Sequence, residues 1–527
     1  MEEEKLTGSY YTPENLVNFM VDYLQTQKQD LSNVLEPSAG DGRFLSLLQF
    51  KAARIDAIEL FDFKVTELQK KYKGQKFGIM QADFVEYAMA ASHHYSLGVG
   101  NPPYINPKIM EDETVNKARE LCKAEGLAGA VMQNMWVAFV IGACRVLRPG
   151  GAIFFVLPME FLQVQYAEKL RLYLENRFNT IHIISFQKFI FSDIEQEICL
   201  VYLTNKKQCP PHILYNIYQD ADQRKPIRTN IIQKNKPLQK WSNAILSDEE
   251  ITLLKSKTAN YKRVDETGAI APGIVTGGNE YFILTKEKVK ECACEKYVLP
   301  ILQKSSFITQ NTIIINNSTI EQLQRDSKPM YLLDLARVKE TLPEPLKEYL
   351  EWAGKQKKDE NSVALKKRFK CINRIPWYGV PIVNKGGVIF FKRYGALPRL
   401  YINEANIHTT DAGYHIRLKQ EYDKASFVFC FYNSMTLAQC EYNGRYYGGG
   451  VRELVPSEFK KTTVPYRTIE QNNIDRLERM FQEKASTKSI VDFVNSCTIA
   501  QDMDVQDIEK LEEIRRKLAQ HRSANRG

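Results

Sequence analysis

Four consecutive residues, Asn101-Pro102-Pro103-Tyr104, follow the apolar run Ser96 to Val99 and form the most chemically pointed segment of the chain. An amino group attached to an aromatic base or an acyl carbon is a poor nucleophile, because its lone pair is delocalised. Two acceptors aimed at its hydrogens favour the pyramidal, reactive form. The Asn101 side-chain carbonyl and the Pro102 backbone carbonyl can supply those acceptors, and the successive prolines stiffen the loop that aims them. No strong base is required. Tyr104 can stack on a base turned out of a duplex, since an atom inside the stack is out of reach. The plain alternative is a proline-rich strand end with no chemistry.

A second constellation lies upstream, in Leu35-Glu36-Pro37-Ser38-Ala39-Gly40-Asp41-Gly42-Arg43-Phe44. Glycines at 40 and 42 let backbone pass close to a ligand, as in nucleotide-binding turns. There is no Gly-Lys-Ser/Thr continuation and acidic residues flank the turn, so a cationic or zwitterionic ligand suits it better than phosphate. Glu59, ending the run Ile55 to Leu60, stands where a carboxylate can accept the ribose hydroxyls of a nucleoside cofactor. Ala82-Asp83-Phe84 offers a carboxylate for an adenine amino group and a ring for its face.

These residues need a scaffold that delivers each to one place. Short apolar runs alternate with amphipathic stretches from Asn33 to Leu174: Val34-Leu35, Ile55 to Leu60, Phe77 to Met80, Ser96 to Val99 and Ala152 to Leu157. That alternation predicts an α/β fold with a doubly wound, mostly parallel sheet, whose ligands sit at the carboxyl ends of the strands. Thr180 to Phe186 and Glu197 to Leu203 are expected to pair as an antiparallel hairpin closing the sheet. The polar stretch Asp220 to Lys240 reads as a connector. Beyond it, short strands broken by Thr276-Gly277-Gly278-Asn279, Pro376-Trp377-Tyr378-Gly379, Lys385-Gly386-Gly387 and Gly448-Gly449-Gly450 indicate a mixed α+β second domain, and residues after Ile469 read as charged helices. The expected division is 1–220, 221–245, 246–466 and 467–527.

At 527 residues the chain is too long for one core, and its 44% hydrophobic and 26% charged residues are ordinary globular values. A formal charge of +9 has the sign expected of a protein that approaches a polyanion. Ten cysteines without a CxxC pair or a nearby histidine pair point to reduced thiols and no metal site. The start Met1-Glu2-Glu3-Glu4-Lys5 lacks the features of a secretory signal, so an intracellular protein is expected. Ala128 to Leu147 is apolar, but Gln133, Asn134 and Arg145 interrupt it, favouring a buried helix over a membrane span.

In order and content these motifs resemble the gamma-class (TaqI-like) N6-adenine DNA methyltransferases of restriction-modification type. The likeness covers residues 7 to 205, including Thr7-Gly8-Ser9-Tyr10-Tyr11-Thr12-Pro13 ahead of the glycine turn, and continues only as texture beyond. It implies a Rossmann-like class I methyltransferase domain joined to a target-recognition domain, S-adenosyl-L-methionine as cofactor, double-stranded DNA as partner, and cytoplasmic, nucleoid-associated location in a prokaryote. By position, Tyr11, Thr12, Glu36, Ala39 and Gly40 would line the methionine end of the cofactor, Glu59 the ribose, and Asp83 and Phe84 the adenine. Asn101, Pro102 and Tyr104 would be catalytic and Pro103 would touch the substrate base. The downstream aromatic opposite the tyrosine would be Phe191, with Phe189 its rival and a core phenylalanine the alternative to both. Lys392, Arg393 and Arg399, set among aromatics and glycines, and the run Lys366-Lys367-Arg368-Phe369-Lys370 could meet phosphates or base edges, or be ordinary surface charges.

An RNA adenine methyltransferase would need the same loop and turn, but the second half lacks an evident RNA-binding signature. A non-catalytic nucleic-acid-binding protein would have no use for Asn101, Tyr104, Glu59 and Asp83 together. Glutamine methylation resembles a shorter chain, and N4-cytosine methylation more often has serine in place of Asn101. A fused nuclease is not expected, since the cofactor motifs begin almost at the N-terminus; a separate cognate restriction endonuclease is the partner the resemblance allows.

Overall fold

The early apolar runs become strands because most are buried on both faces, where aliphatic side chains pack against helices above and below. β1 (Val34–Glu36), β2 (Ile55–Glu59) and β4 (Tyr95–Gly100) are buried along their length, and β5 (Leu147–Pro158) is buried from Gly151 onward. β3 (Phe77–Gln81) lies at an edge and is half-buried. The computed structural model describes residues 11–523 apart from 75, 93, 189, 192–196, 206–209, 235–236, 239, 360–361 and 448–450.

Helices α1 (Glu14–Thr26), α2 (Arg43–Leu48), α3 (Asp62–Lys71), α4 (Phe84–Ala90), α5 (Asp112–Ala124), α6 (Met135–Val146) and α7 (Glu168–Arg177) alternate with the strands. The sheet order is β3-β2-β1-β4-β5-β7-β6-β8-β9, with β1 pairing in parallel with both β2 and β4. The strand order therefore reverses beside β1, which opens a crevice at the carboxyl ends of β1 and β4. On one face α1 and α2 share a core with the strands, Phe19 meeting Phe186 edge-on at 5.4 Å and Tyr23 meeting Phe154 at 5.5 Å. Elsewhere Phe84 of α4 meets Phe139 of α6 at 5.0 Å. The apolar segment read as a buried helix is α6, of whose residues only Arg145 is not buried. Among the described residues no helix is long and apolar enough to cross a membrane.

The expected hairpin forms from β6 (Thr180–Phe186) and β7 (Ile198–Thr204), antiparallel, with β7 between β5 and β6. It does not end the sheet. β8 (His212–Tyr218) joins β6 in parallel, and β9 (Arg228–Gln233) pairs antiparallel with β8. β9 thus lies inside the polar stretch that reads as a connector. Its polarity has a local cause: β9 is an edge strand, and all but Ile232 of its residues are partly or fully exposed. The following segment is held to the same body, with Trp241 fully buried and its indole N–H donating to Glu175 Oε1 at 2.6 Å. The Asn230 amide also donates to the Ala244 and Leu246 carbonyls at 2.6 and 2.8 Å. Chain contacts divide after Ile251.

The second unit comprises Thr252–Gly444 and Val451–Ala519. One mixed sheet runs in the order Gly268–Pro272, Gly413–Leu418, Val388–Phe391, Leu400–Asn403 and Ile314–Ile315. The charged helices Gln471–Gln482 and Thr487–Cys497 bury Leu477, Phe481, Val491 and Val494 in a core shared with Phe390, Tyr414 and Phe427. Their charges face outward because only one stripe of each is apolar.

The glycine turn after β1 carries the tightest backbone constraint. Gly42 has φ +78°, and a Cβ there would lie 2.6 Å from Leu68 Cδ2 and 2.8 Å from Tyr72 Cε2. Tyr72 also donates its hydroxyl to the Gly42 carbonyl at 2.8 Å. Gly42→Ala is expected to destabilise the protein by roughly 2–4 kcal/mol, from left-handed strain plus overpacking. Gly40→Ala, at φ +56° with only Tyr11 Cε1 within 4 Å at 3.9 Å, should cost about 1–2 kcal/mol. Urea titration of the two variants checks the order; equal midpoints would refute it.

Candidate active site

The carboxyl ends of β1, β2 and β4 open onto a cavity of about 440 Å³, in the range of small-molecule sites. Its wall brings together residues far apart in the chain: Tyr11 and Thr12, Glu36 with Ala39 and Gly40, Glu59, Asp83 with Phe84, and Asn101 with Pro103. Each arrives by a local route. Glu36 is the last residue of β1 and Glu59 the last of β2. Asp83 is the N-cap of α4, and Asn101 follows β4 directly.

Glu36 is 2% exposed and its Oε2 has no hydrogen-bond partner. Burial, with Asp41 and Glu59 nearby, holds its carboxyl well above the ordinary carboxylate range. A lone buried carboxyl on a cavity wall suits a ligand that brings a cation or a donor. Glu59 is fixed by backbone: Oε2 accepts from the Gly40 N–H at 2.9 Å, and Oε1 from the Leu60 and Phe61 N–H groups at 3.0 and 3.1 Å. Those bonds occupy three of about four acceptor positions. Asp83 Oδ1 caps α4 by accepting from Val85 and Glu86 at 2.7 and 3.4 Å, which leaves Oδ2 for a ligand. Phe84 is buried beside it.

The Asn101–Tyr104 loop is tied down at both ends. Gly100 takes φ +152° where β4 passes β1, and Ser38 donates its hydroxyl to the Asn101 backbone carbonyl at 3.2 Å. Pro102 is buried behind the wall. Tyr104 is not on the wall: its ring packs against the core shared by α1 and β1, and its hydroxyl donates to the Val156 carbonyl at 3.0 Å. Burial, then Cys199 and Glu160, hold this phenol well above its ordinary value, so it is an O–H donor and not a base. Phe191, 8% exposed, lies in the same core cluster. Phe189 lies outside the described residues, as do Thr7 to Tyr10 and Gly448 to Gly450.

The model of the Eco57I restriction-modification methylase matches residues 36–191, and that of the Type II methyltransferase M.Eco57I C-terminal domain matches residues 238–499. The chain belongs to the Eco57I-type restriction-modification methylases. It is 24% identical to the Type II methyltransferase M.AccI of Acinetobacter calcoaceticus over 92% of this chain and 90% of that protein. It is 26% identical to the Type II methyltransferase M.BanIII of Aneurinibacillus aneurinilyticus over 42% of this chain, spanning 43% of that relative. Its fold resembles that of the Type IIL restriction-modification enzyme MmeI in complex with DNA, at TM-score 0.58 and 13% identity over 96% of this chain and 75% of the other.

This methylase therefore acts in restriction-modification and takes its methyl group from S-adenosyl-L-methionine. The cavity fits that cofactor on its own chemistry: an unpartnered buried carboxyl for a cationic end, a backbone-oriented carboxylate at the second strand end, and a half-used carboxylate beside an aromatic ring. Among the described residues no group of His, Cys, Asp and Glu could hold a metal ion.

Sequence reasoning passed over several wall residues. Arg43 lines the cavity, donates to the Thr12 carbonyl at 2.8 Å and Asp41 Oδ2 at 2.6 Å, and lies 5.4 Å from the Tyr11 ring centroid. It fastens the segment before α1 to the glycine turn. Its signal was its place straight after Gly42. Ile105, Met110, Met135 and Phe139 also line the wall, and they come from irregular chain and a buried helix that carry no local signature.

Of the basic candidates in the second unit, Lys392 lies 3.6 Å from Asp411 and Arg393 lies 3.3 Å from Glu453. Arg399 donates to Asn311 at 3.2 Å and stacks 5.1 Å from the Phe481 ring centroid. Each cation thus has an internal partner.

Proposed function

We propose that this methylase transfers the methyl group to the N6 amino group of adenine in duplex DNA, at a specific site, after the base has flipped out of the helix. The observation that carries the reading is Asn101 with Pro103 on the wall of the same cavity as Glu36, Glu59 and Asp83. The bound cofactor supplies an electrophilic methyl group on a sulfonium.

Everything else falls to the protein. Glu36 receives the cationic end of the methionine moiety beside Tyr11, Thr12, Ala39 and Gly40. Glu59 receives one ribose hydroxyl as it stands, and a second only if the Gly40 N–H lets go. Asp83 Oδ2 accepts from the adenine of the cofactor, whose face rests on Phe84. The Asn101 side chain and the Pro102 carbonyl accept the two hydrogens of the target amino group, localising its lone pair toward the methyl carbon. Pro103 bears on the flipped base. For Tyr104 to stack on that base its ring turns from the core it packs against and gives up the Val156 carbonyl, and Phe191 closes the opposite side once it too turns from the core. The amino proton leaves to solvent after transfer, since N6 of the methylated cation is strongly acidic and needs no dedicated base.

In this reading the second unit recognises the target sequence, with Lys392 and Arg393 among its contacts, and the protein works in the cytoplasm beside a separate endonuclease.

The test is to incubate the protein with duplex DNA and methyl-labelled cofactor, digest the DNA to nucleosides and identify the labelled one. Labelled N6-methyldeoxyadenosine is expected. Label in N4-methyldeoxycytidine, or in RNA and not in DNA, would overturn the adenine reading.

A further inference from the structure

The cofactor cavity is strongly acidic and holds a cation with donors to spare. Among the described residues that line it, Arg43 is the only basic side chain, set against the carboxylates of Glu36, Asp41, Glu59, Asp83 and Glu111. Its Nη1 donates to the Thr12 carbonyl at 2.8 Å and its Nε to Asp41 Oδ2 at 2.6 Å. Nη2 bonds to nothing among the described residues, and it is not buried: the side chain is 40% exposed. The two bonds, with the Tyr11 ring centroid 5.4 Å from the guanidinium carbon, fix the plane of the fork and leave one edge open.

S-adenosyl-L-methionine brings two cationic groups, the sulfonium and the α-ammonium, and one anion, the α-carboxylate. A wall of carboxylates suits the cations and disfavours the anion everywhere except beside Arg43. The backbone of the glycine turn offers little in its place. The Ala39 N–H donates to the Ile58 carbonyl at 2.9 Å, the Gly40 N–H to Glu59 Oε2 at 2.9 Å and the Gly42 N–H to the Ala39 carbonyl at 2.8 Å, so these donors are spent. The open edge of Arg43 lies on the same turn, at the methionine end of the cavity. Asp41 ties it to Glu36, since Asp41 is bonded to Arg43 and lies near enough to Glu36 to act on its carboxyl. Asp41 also offsets part of the guanidinium charge, which leaves directed hydrogen bonding as the main attraction for an incoming anion.

We propose that Arg43 binds the α-carboxylate of the cofactor through Nη2, beside the ammonium held at Glu36, and so selects ligands with a complete zwitterionic end over adenosyl compounds that lack the carboxylate. The inference rests on Glu36 receiving the ammonium. Because the same guanidinium holds the Thr12 carbonyl, one side chain fastens both the ligand and the segment before α1. Arg43 stands at the methionine end and away from the Asn101 loop, so its loss falls on cofactor binding and spares the chemical step.

The test measures by calorimetry the affinities of wild type, Arg43→Gln and Arg43→Lys for S-adenosylhomocysteine, which shares the methionine end, and for its decarboxylated and desamino analogues. Thermal melting of each protein runs alongside. Wild type is expected to bind the decarboxylated analogue about thirtyfold more weakly than the parent. In Arg43→Gln that gap should close to about threefold, while the gap for the desamino analogue stays as in wild type. Arg43→Lys keeps the charge and loses the fork, so its gap should be intermediate, at about tenfold. Any weakening common to all three ligands reports the released Thr12 carbonyl and cancels in the ratio. A carboxylate gap as wide in Arg43→Gln as in wild type would overturn the proposal, leaving Arg43 a fastener of the Thr12 segment; so would the absence of a gap in wild type. Should Arg43→Gln fail to fold, a wild-type gap in Arg43→Lys would overturn it equally. Wild type that binds the desamino analogue as tightly as the parent would overturn the Glu36 assignment, and the carboxylate gap would still decide for or against Arg43.

Discussion

Asn101→Ala should abolish most methyl transfer while leaving the cofactor site almost intact. Asn101 sits on the cavity wall at the end of β4, and its backbone is held by the Ser38 hydroxyl independently of its side chain. Truncation therefore removes an acceptor without releasing the loop. The acceptor acts as charge develops on the amino nitrogen, so its loss falls on the chemical step; comparable single-group deletions cost about 10²–10³ in kcat. Cofactor affinity, read by calorimetry, should change less than about twofold, because the methionine, ribose and adenine contacts lie elsewhere. Single-turnover labelling separates the outcomes. A variant that still transfers at near wild-type rate would remove Asn101 from the chemistry; one that loses cofactor binding in proportion would make it a pocket residue.

The second large effect concerns Glu36. Its carboxyl is raised well above the ordinary range by burial, then by Asp41 and Glu59, and its Oε2 has no partner in the protein. A carboxyl whose pKa is raised on folding binds its proton more tightly in the folded chain than in the unfolded one. Its contribution to stability is fully present below the unfolded value and is lost as pH rises from there through the raised value. Glu36→Gln cannot ionise, so the cofactor-free variant should melt like wild type in acid and progressively above it as pH approaches neutrality. Cofactor binding should move the opposite way. The cationic methionine end favours the carboxylate, so wild-type affinity rises with pH over the same interval, and Glu36→Gln loses both that rise and roughly a hundredfold in affinity, as expected when one member of a buried charge pair is removed. Melting and calorimetry across the pH series check both arms. If Glu36→Gln were less stable at neutral pH and bound the cofactor normally, the carboxyl would be structural.

The sequence by itself determined what depends on neighbours along the chain. Strand ends, the Gly40–Gly42 turn, the Asp83 cap and the Asn101–Tyr104 loop are set by a few adjacent residues, and the doubly wound sheet follows from apolar runs at regular intervals. Because such a sheet gathers its strand ends along one edge, Glu36, Glu59, Asp83 and Asn101 could be expected to converge, and they share one wall.

What only the tertiary structure decided are the features made by distant contacts. The polar texture of residues 220 to 240 reads as a linker because an edge strand has little apolar surface to show; only pairing with β8 makes it part of the sheet. Phe191 lies in the core and Tyr104, half-buried, packs against it, both off the cavity wall, because the hydrophobic cluster of α1 and β1 draws both rings inward. Arg43 joins the site through the Thr12 carbonyl, thirty-one residues away. Gly277 and Gly278 look like a turn and Arg368 like a surface charge until the close packing of their two segments buries one guanidinium nitrogen without a partner. Burial and pairing of a long side chain are fixed by which segments meet, and local composition holds no record of that.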